Sequence, residues 1–139
     1  MATVLTLADY PGPPWDSIEL SEDQRSYRAF WAAVLQFATA DGADEVIFDL
    51  NCGYGCLATV INEATHTLVP PPAEYRDCLF AFARRLAAGG PIRSAARYWS
   101  RVLDRSDYLG RITLRVVGRN VDWSVFALSR GVRMRRVTA

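Results

Sequence analysis

Apolar residues recur at Tyr27, Phe30, Trp31, Val34, Leu35 and Ala38. Positions three and four apart share one side of a helix, so this spacing predicts a helix with a buried stripe. Ser21 and Gln24 make a capping-box pattern at its start, Glu22 and Asp23 suit the positive helix end, and Gly42 is the expected stop. The aromatic stripe reads as core by the usual burial preferences of such residues. Val46 to Leu50 is a short apolar run of strand formers and predicts a buried strand. Cys56 to Ile61 and Ala64 to Val69 then predict a hairpin about Asn62-Glu63. In its first strand Leu57, Thr59 and Ile61 share one face and Cys56, Ala58 and Val60 the other. Both faces are largely apolar, so cover is expected on both sides.

Pro70-Pro71-Pro72 ends the hairpin and sets the start of a second helix. Its expected core face is Tyr75, Cys78, Leu79, Phe82 and Leu86, with Gly89-Gly90 as the stop. Pro91 opens a third helical stretch. There Ile92, Ala96, Trp99 and Leu103 form an apolar seam opposite a row of Arg93, Arg97, Arg101 and Arg105. Like charges at this spacing repel by roughly a few tenths of a kcal/mol per pair, and most such rows are solvated faces. Arginine nevertheless grips carboxylates and phosphates with two bonds at once, which makes Arg93, Arg97, Arg101, Arg105 and the neighbouring Trp99 the candidate partner-binding residues. The end of the chain alternates as a meander: Ile112, Leu114 and Val116; then Val121, Trp123, Val125 and Ala127; then Val132 and Met134. Ahead of all this, Thr3 to Leu7 suits a short strand, and the prolines of residues 11–15 exclude a helix there.

These elements predict an α+β fold: a small sheet of about six strands (a strand, a hairpin and a three-strand meander) with two to three packing helices. At 139 residues, half of them apolar, the chain suits one domain, here residues 21–139, preceded by an arm over residues 1–20. No run of about 18 apolar residues predicts a membrane span, and the N-terminus does not read as a secretory signal.

Charge changes the picture more than composition does. Residues 1–77 hold three arginines against twelve acids, a net −9, and residues 78–139 hold thirteen against three, a net +10. The chain has no lysine. Such polarity steers an acidic partner or favours head-to-tail self-association, or the two halves neutralise each other within one fold. Three cysteines, Cys52, Cys56 and Cys78, suit a reducing cytoplasm rather than a disulfide framework. Their spacing with His66 is not a usual zinc spacing, so no metal and no cofactor is expected. Two glycines in the turn Asn51-Cys52-Gly53-Tyr54-Gly55 lack the lysine and hydroxyl of a phosphate loop.

The order of elements resembles the N-terminal PAS-like domain of the type II secretion and type IV pilus assembly ATPases, over about residues 28 to 137. The family's helix ends in a pattern like EGASDIHIEP; here it is Asp41-Gly42-Ala43-Asp44-Glu45-Val46-Ile47-Phe48-Asp49-Leu50. A hairpin and a proline run follow, as at Ala58 to Pro72. The family's later DGRI and GRxVDxRVS patterns are matched by Leu109-Gly110-Arg111-Ile112 and by Gly118-Arg119-Asn120-Val121-Asp122-Trp123-Ser124. The departures shape the expected function. The chain ends at Ala139 without a phosphate loop, so ATP hydrolysis by the family's mechanism is not expected. The family's nucleotide-facing hairpin arginines fall on Ala58 and Val60, and another falls on Ser124. The stretch from Gly89 to Gly110 is longer than the family's and holds the Arg row.

The uncharged Cys56, Ala58 and Val60 face gains about 25 cal/mol per Å² on burial, so it should be covered by the chain's own Ile92, Trp99 and Leu103 seam or by a partner. The resemblance implies a non-catalytic, cytoplasmic protein-interaction module. It would dock an acidic protein surface or a secretion or pilus component through the Arg row, or pair as a homodimer. The alternative is nucleic-acid or nucleotide binding through the same row, with Tyr98 or Trp99 stacking. An enzymatic reading would need a nucleophile such as Cys56 or Cys78 beside His66, the chain's one histidine.

Overall fold

A computed structural model describes residues 3–6, 24–51, 56–87, 107–116 and 119–137. The described elements are, in chain order, β1 (Thr3–Thr6), α1 (Gln24–Ala40), β2 (Glu45–Asp49), β3 (Leu57–Ile61), β4 (Ala64–Thr67), α2 (Ala73–Ala87), β5 (Tyr108–Val116), β6 (Arg119–Leu128) and β7 (Gly131–Arg136). The strands form one seven-stranded sheet in the order β1-β5-β6-β7-β2-β3-β4. Strands β2 to β7 pair antiparallel, and β1 joins β5 in parallel at one edge. The N-terminal segment therefore contributes a strand to the domain. The expected third helix and its seam (Ile92, Ala96, Trp99, Leu103) lie outside the described residues, as does the Ser21 cap.

Local chemistry sets the turns. Helix α1 ends in a Schellman motif: Gly42 N–H bonds the Thr39 carbonyl at 3.2 Å and Ala43 N–H bonds the Ala38 carbonyl at 2.9 Å. Gly42 sits at φ 71°, the left-handed conformation that motif requires. The β3–β4 turn takes positive φ at both central residues, 50° at Asn62 and 70° at Glu63. That is the two-residue hairpin geometry whose twist matches the flanking strands. At the start of β5 the pairing with β6 shifts between Tyr108 and Gly110, and Gly110 takes φ 146°. Helix α2 begins directly after Pro72, whose carbonyl accepts from Tyr75 N–H at 3.0 Å.

Strand register sorts the side chains onto two faces. Val46, Phe48, Leu57, Thr59, Ile112, Leu114, Trp123, Val125, Val132 and Met134 are buried and pair with one another across the strands. Both described helices lie on this side. Trp31 meets Phe48 edge-on with ring centres 5.3 Å apart, and Tyr27 packs on Phe82 at 5.9 Å. Trp31 also donates its indole N–H to the Leu79 carbonyl at 3.1 Å, which pins α1 to α2. Every member of the predicted α1 stripe is buried, and Ala32 and Ala33 are buried beside it.

Two expectations need correction. Cys78 is exposed, not part of the α2 core face. The buried arc is instead Leu79, Phe82, Ala83, Leu86 and Ala87, which is rotated toward the two alanines and leaves Cys78 just outside it. The first hairpin strand is also not fully covered on both sides: Leu57 and Thr59 are buried, but Ala58 and Val60 are only half-buried.

Gly131 lies where β7 turns in against β2. An added Cβ would stand 2.1 Å from the Phe48 carbonyl oxygen and 2.8 Å from Asp49 Cα, both backbone atoms. Gly131→Ala should therefore destabilise the fold by about 1–3 kcal/mol or more, as overpacking does. Gly42→Ala meets nothing within 4 Å but keeps the positive φ, so it should cost about 1–2 kcal/mol and Gly42→Asn distinctly less. Urea denaturation of the three variants checks the order.

Candidate functional site

The face of the sheet turned away from α1 and α2 is built by the other half of each strand. By register it carries Arg111, Thr113 and Arg115 of β5, Asn120, Asp122, Ser124 and Phe126 of β6, and Arg133 and Arg135 of β7. Glu45, Ile47 and Asp49 of β2 and Ala58 and Val60 of β3 continue it. Four arginines on one sheet face would repel each other, and the register answers this with interleaved carboxylates. Glu45 stands between two of them, its Oε1 3.6 Å from Arg133 Nε and 3.5 Å from Arg135 Nε. Asp122 accepts from the Thr113 hydroxyl at 2.6 Å and lies 3.6 Å from Arg111. Arg115 donates to the Asn120 side-chain oxygen at 3.3 Å. The Arg133 guanidinium also covers the Phe126 ring at 5.7 Å, and Tyr108 packs on that ring at 5.5 Å. Phe126 is buried yet stands apart from the main core cluster.

At one end of the sheet, where β6 begins and β7 ends, a groove of about 410 Å³ is lined by Asp44, Arg119, Asn120, Val121, Asp122, Arg136 and Val137. Its floor is held by the backbone: Arg136 N–H bonds the Asp44 carbonyl at 2.9 Å and Val137 N–H bonds the Asp122 carbonyl at 2.8 Å. The other described arginines are engaged. Arg130 meets Asp77 at 3.1 Å, Arg76 meets the Pro71 carbonyl at 2.9 Å, and Arg84 and Arg85 lie over Phe80 and Phe82. Arg25 and Arg28 are engaged as well. The guanidinium groups of Arg119 and Arg136 make no hydrogen bond, ion pair or ring contact with another described residue. Asp122 is already committed to Thr113 and Arg111, which leaves two guanidinium groups against the single carboxylate of Asp44.

The residues singled out from the sequence, Arg93, Arg97, Trp99, Arg101 and Arg105, lie outside the described residues, as do Tyr98 and Cys52. His66 is exposed on β4 opposite Thr59. Cys56 is buried in the core cluster just before β3, whereas His66 is exposed on the edge strand. Among the described residues no three of His, Cys, Asp and Glu gather as metal ligands. No described helix is long and apolar enough to cross a membrane. Sequence reasoning missed Arg119 and Arg136. The signal was their position: each stands at a strand end, one opening β6 and one closing β7, where no cross-strand carboxylate faces it.

No protein-family model, no curated protein and no solved structure matches this chain.

The two kinds of ion pair on the molecule should respond differently to loss of the acid. Glu45 is only 22% exposed and serves two arginines, while the Arg133 Nε is buried and has no hydrogen bond. Glu45→Gln should cost about 1–2 kcal/mol, because it strips the nearest charge from a buried donor. Asp77→Asn, at an exposed single pair, should cost less than about 0.5 kcal/mol. Parallel urea titrations at low and high salt measure both.

Proposed function

We propose that this chain is a non-catalytic, cytoplasmic protein-interaction module. In this reading it is a counterpart of the N-terminal domain of secretion and pilus motor ATPases, and it docks on an acidic surface of such machinery. The observation that carries the reading is the contrast among the arginines. Those on the sheet face are matched within the fold, Arg111, Arg133 and Arg135 to carboxylates and Arg115 to the Asn120 side chain, whereas the guanidinium groups of Arg119 and Arg136 share an open groove and have no such partner among the described residues. A guanidinium left without a carboxylate at a surface is ready to take one from another molecule, and its planar fork binds that group with two bonds.

The spacing indicates the size of what binds. Arg136 pairs with Trp123, four residues along β6 from Arg119, so the two Cα atoms stand about 14 Å apart. Two side chains of arginine length close most of that distance over Val121. An acidic segment with two carboxylates a few residues apart spans it. The polarity of the whole chain, −9 before residue 78 and +10 after it, steers such a partner toward this half of the sequence.

The test is a binding titration of the purified chain against the cytoplasmic components of a secretion or pilus system. Arg119→Glu/Arg136→Glu is the variant, with thermal unfolding as the control for folding. The charge reversal should weaken binding by about tenfold or more and flatten its salt dependence, with the melting temperature unchanged. Unchanged binding by the variant would sink the assignment of these two residues. Steeply salt-dependent binding to a single-stranded oligonucleotide, without binding to the protein components, would favour the nucleic-acid reading instead.

A further inference from the structure

The sheet ends at β4, and all four residues of that strand are exposed. The hairpin geometry tells which of its backbone groups are spent. Leu68 N–H bonds the Leu57 carbonyl at 2.9 Å, so Leu68 faces inward to β3. Bonding alternates along an antiparallel strand, so His66 and Ala64 also face inward. Thr65 and Thr67 therefore present their N–H and C=O groups to the free edge, and Val69, 60% exposed, continues the row. Natural sheets blunt such edges with charges, prolines within the strand, bulges or cover. The segment from Ala64 to Val69 holds no Asp, Glu, Lys, Arg or Pro.

We infer that β4 pairs antiparallel with β4 of a second copy of this chain, forming one continuous sheet across a two-fold axis at His66. The register follows from the edge itself. Setting Thr65 opposite the Thr67 of the second copy matches outward bonding groups to outward bonding groups, and the axis repeats the match on the other side. Two bonded residue pairs, hence four backbone hydrogen bonds, close the seam. The side chains agree with that register. Threonine meets threonine on one face, a favourable cross-strand pair. On the other face the two His66 rings meet at the axis, and each Leu68 lies opposite the small Ala64. No like-charged carboxylates or guanidinium groups oppose each other, and because β4 is fully exposed the helix layer does not overhang the seam.

A second copy suits this edge because one register pairs the outward groups of Thr65 and Thr67 of both copies and sets no like charges opposite each other. A seam of five residues a side buries less than the roughly 1,200 Å² of a stable complex. The dimer is accordingly a concentration-dependent equilibrium rather than an obligate assembly. This inference is independent of the proposed docking at Arg119 and Arg136, which stand three and four strands away from β4.

Sedimentation equilibrium from micromolar to millimolar protein, together with amide exchange by NMR, tests it. The wild type should approach twice the monomer mass at the top of that range, and the Thr65 and Thr67 amides should exchange more slowly as concentration rises. Thr67→Pro removes one outward donor that bonds nothing in β3, and should leave the chain folded and monomeric. Thr65→Lys/Thr67→Lys keeps every backbone donor but sets four ammonium groups along the seam, and should also be monomeric. Arg119→Glu/Arg136→Glu should dimerise as the wild type does. A wild type that stays monomeric to millimolar concentration overturns the inference. So does self-association that survives both β4 variants, or protection of Thr65 and Thr67 that appears only when an extended peptide is added.

Discussion

Trp31 bonds the Leu79 carbonyl through its indole N–H while its ring stands against Phe48 and Phe30. One fully buried side chain thus fixes α1 to α2 and both helices to the centre of the sheet. A buried indole donor without an acceptor is costly, so this bond also sets how α2 slides and rotates over α1. Trp123 shows the contrast: it is equally buried, but its N–H finds no acceptor among the described residues, and it contributes through packing alone. Once the helices are committed to the Phe48 side, the opposite face of the sheet has to be stabilised by other means.

That second constraint explains the layout of charge. Arginine on a sheet face is tolerable when carboxylates alternate with it, and β2 and β6 supply them as Glu45 and Asp122. Arg133 is held three ways: near Glu45, over the Phe126 ring, and in the ladder. Among the described residues, Arg111, Arg130, Arg133 and Arg135 of the basic half each meet a carboxylate. Glu45 belongs to the acidic half of the sequence and Arg133 and Arg135 to the basic half, so the polarity along the chain becomes pairing in space. Arg119 and Arg136 are not matched in this way, because their register neighbours are Val116 and Trp123, which carry no carboxylate.

Elements governed by their own few residues were legible in the sequence. The Asn62-Glu63 turn, the Gly42 stop and the alternation of the meander each depend on chemistry within a few positions, and each appears where that chemistry puts it. The exposure of Cys78 was not legible, because the orientation of α2 is set by its contacts with α1 and the sheet, far away in sequence. The same holds for the parallel pairing of Thr3–Thr6 with β5, which joins segments more than a hundred residues apart. The candidate site was less legible still. A row of arginines at helical spacing draws the eye, yet what distinguishes Arg119 and Arg136 is the absence of a described partner, and partnership is decided by register between strands. The order of helix, strand, hairpin, helix and meander was legible in the hydrophobic pattern, and the α+β sheet carries it at that coarse level.

The geometry keeps the two proposed surfaces from competing. Strands are spaced by about 4.8 Å, so the groove at β6 and β7 stands roughly 15–20 Å from the β4 edge of the same copy. A two-fold axis at that edge sets the two grooves about 35–40 Å apart measured across the strands, with β5 and β1 of each copy lying beyond them. Both helix layers then lie on one side and both arginine-bearing faces on the other. A partner with a single acidic segment would meet either groove independently, with no gain from dimerisation. A partner that repeats such a segment at matching spacing would engage both, and its second contact would be intramolecular. Avidity of that kind makes a weak, concentration-dependent seam useful, because the assembled partner itself raises the local concentration of the chain and closes the sheet only where docking has occurred.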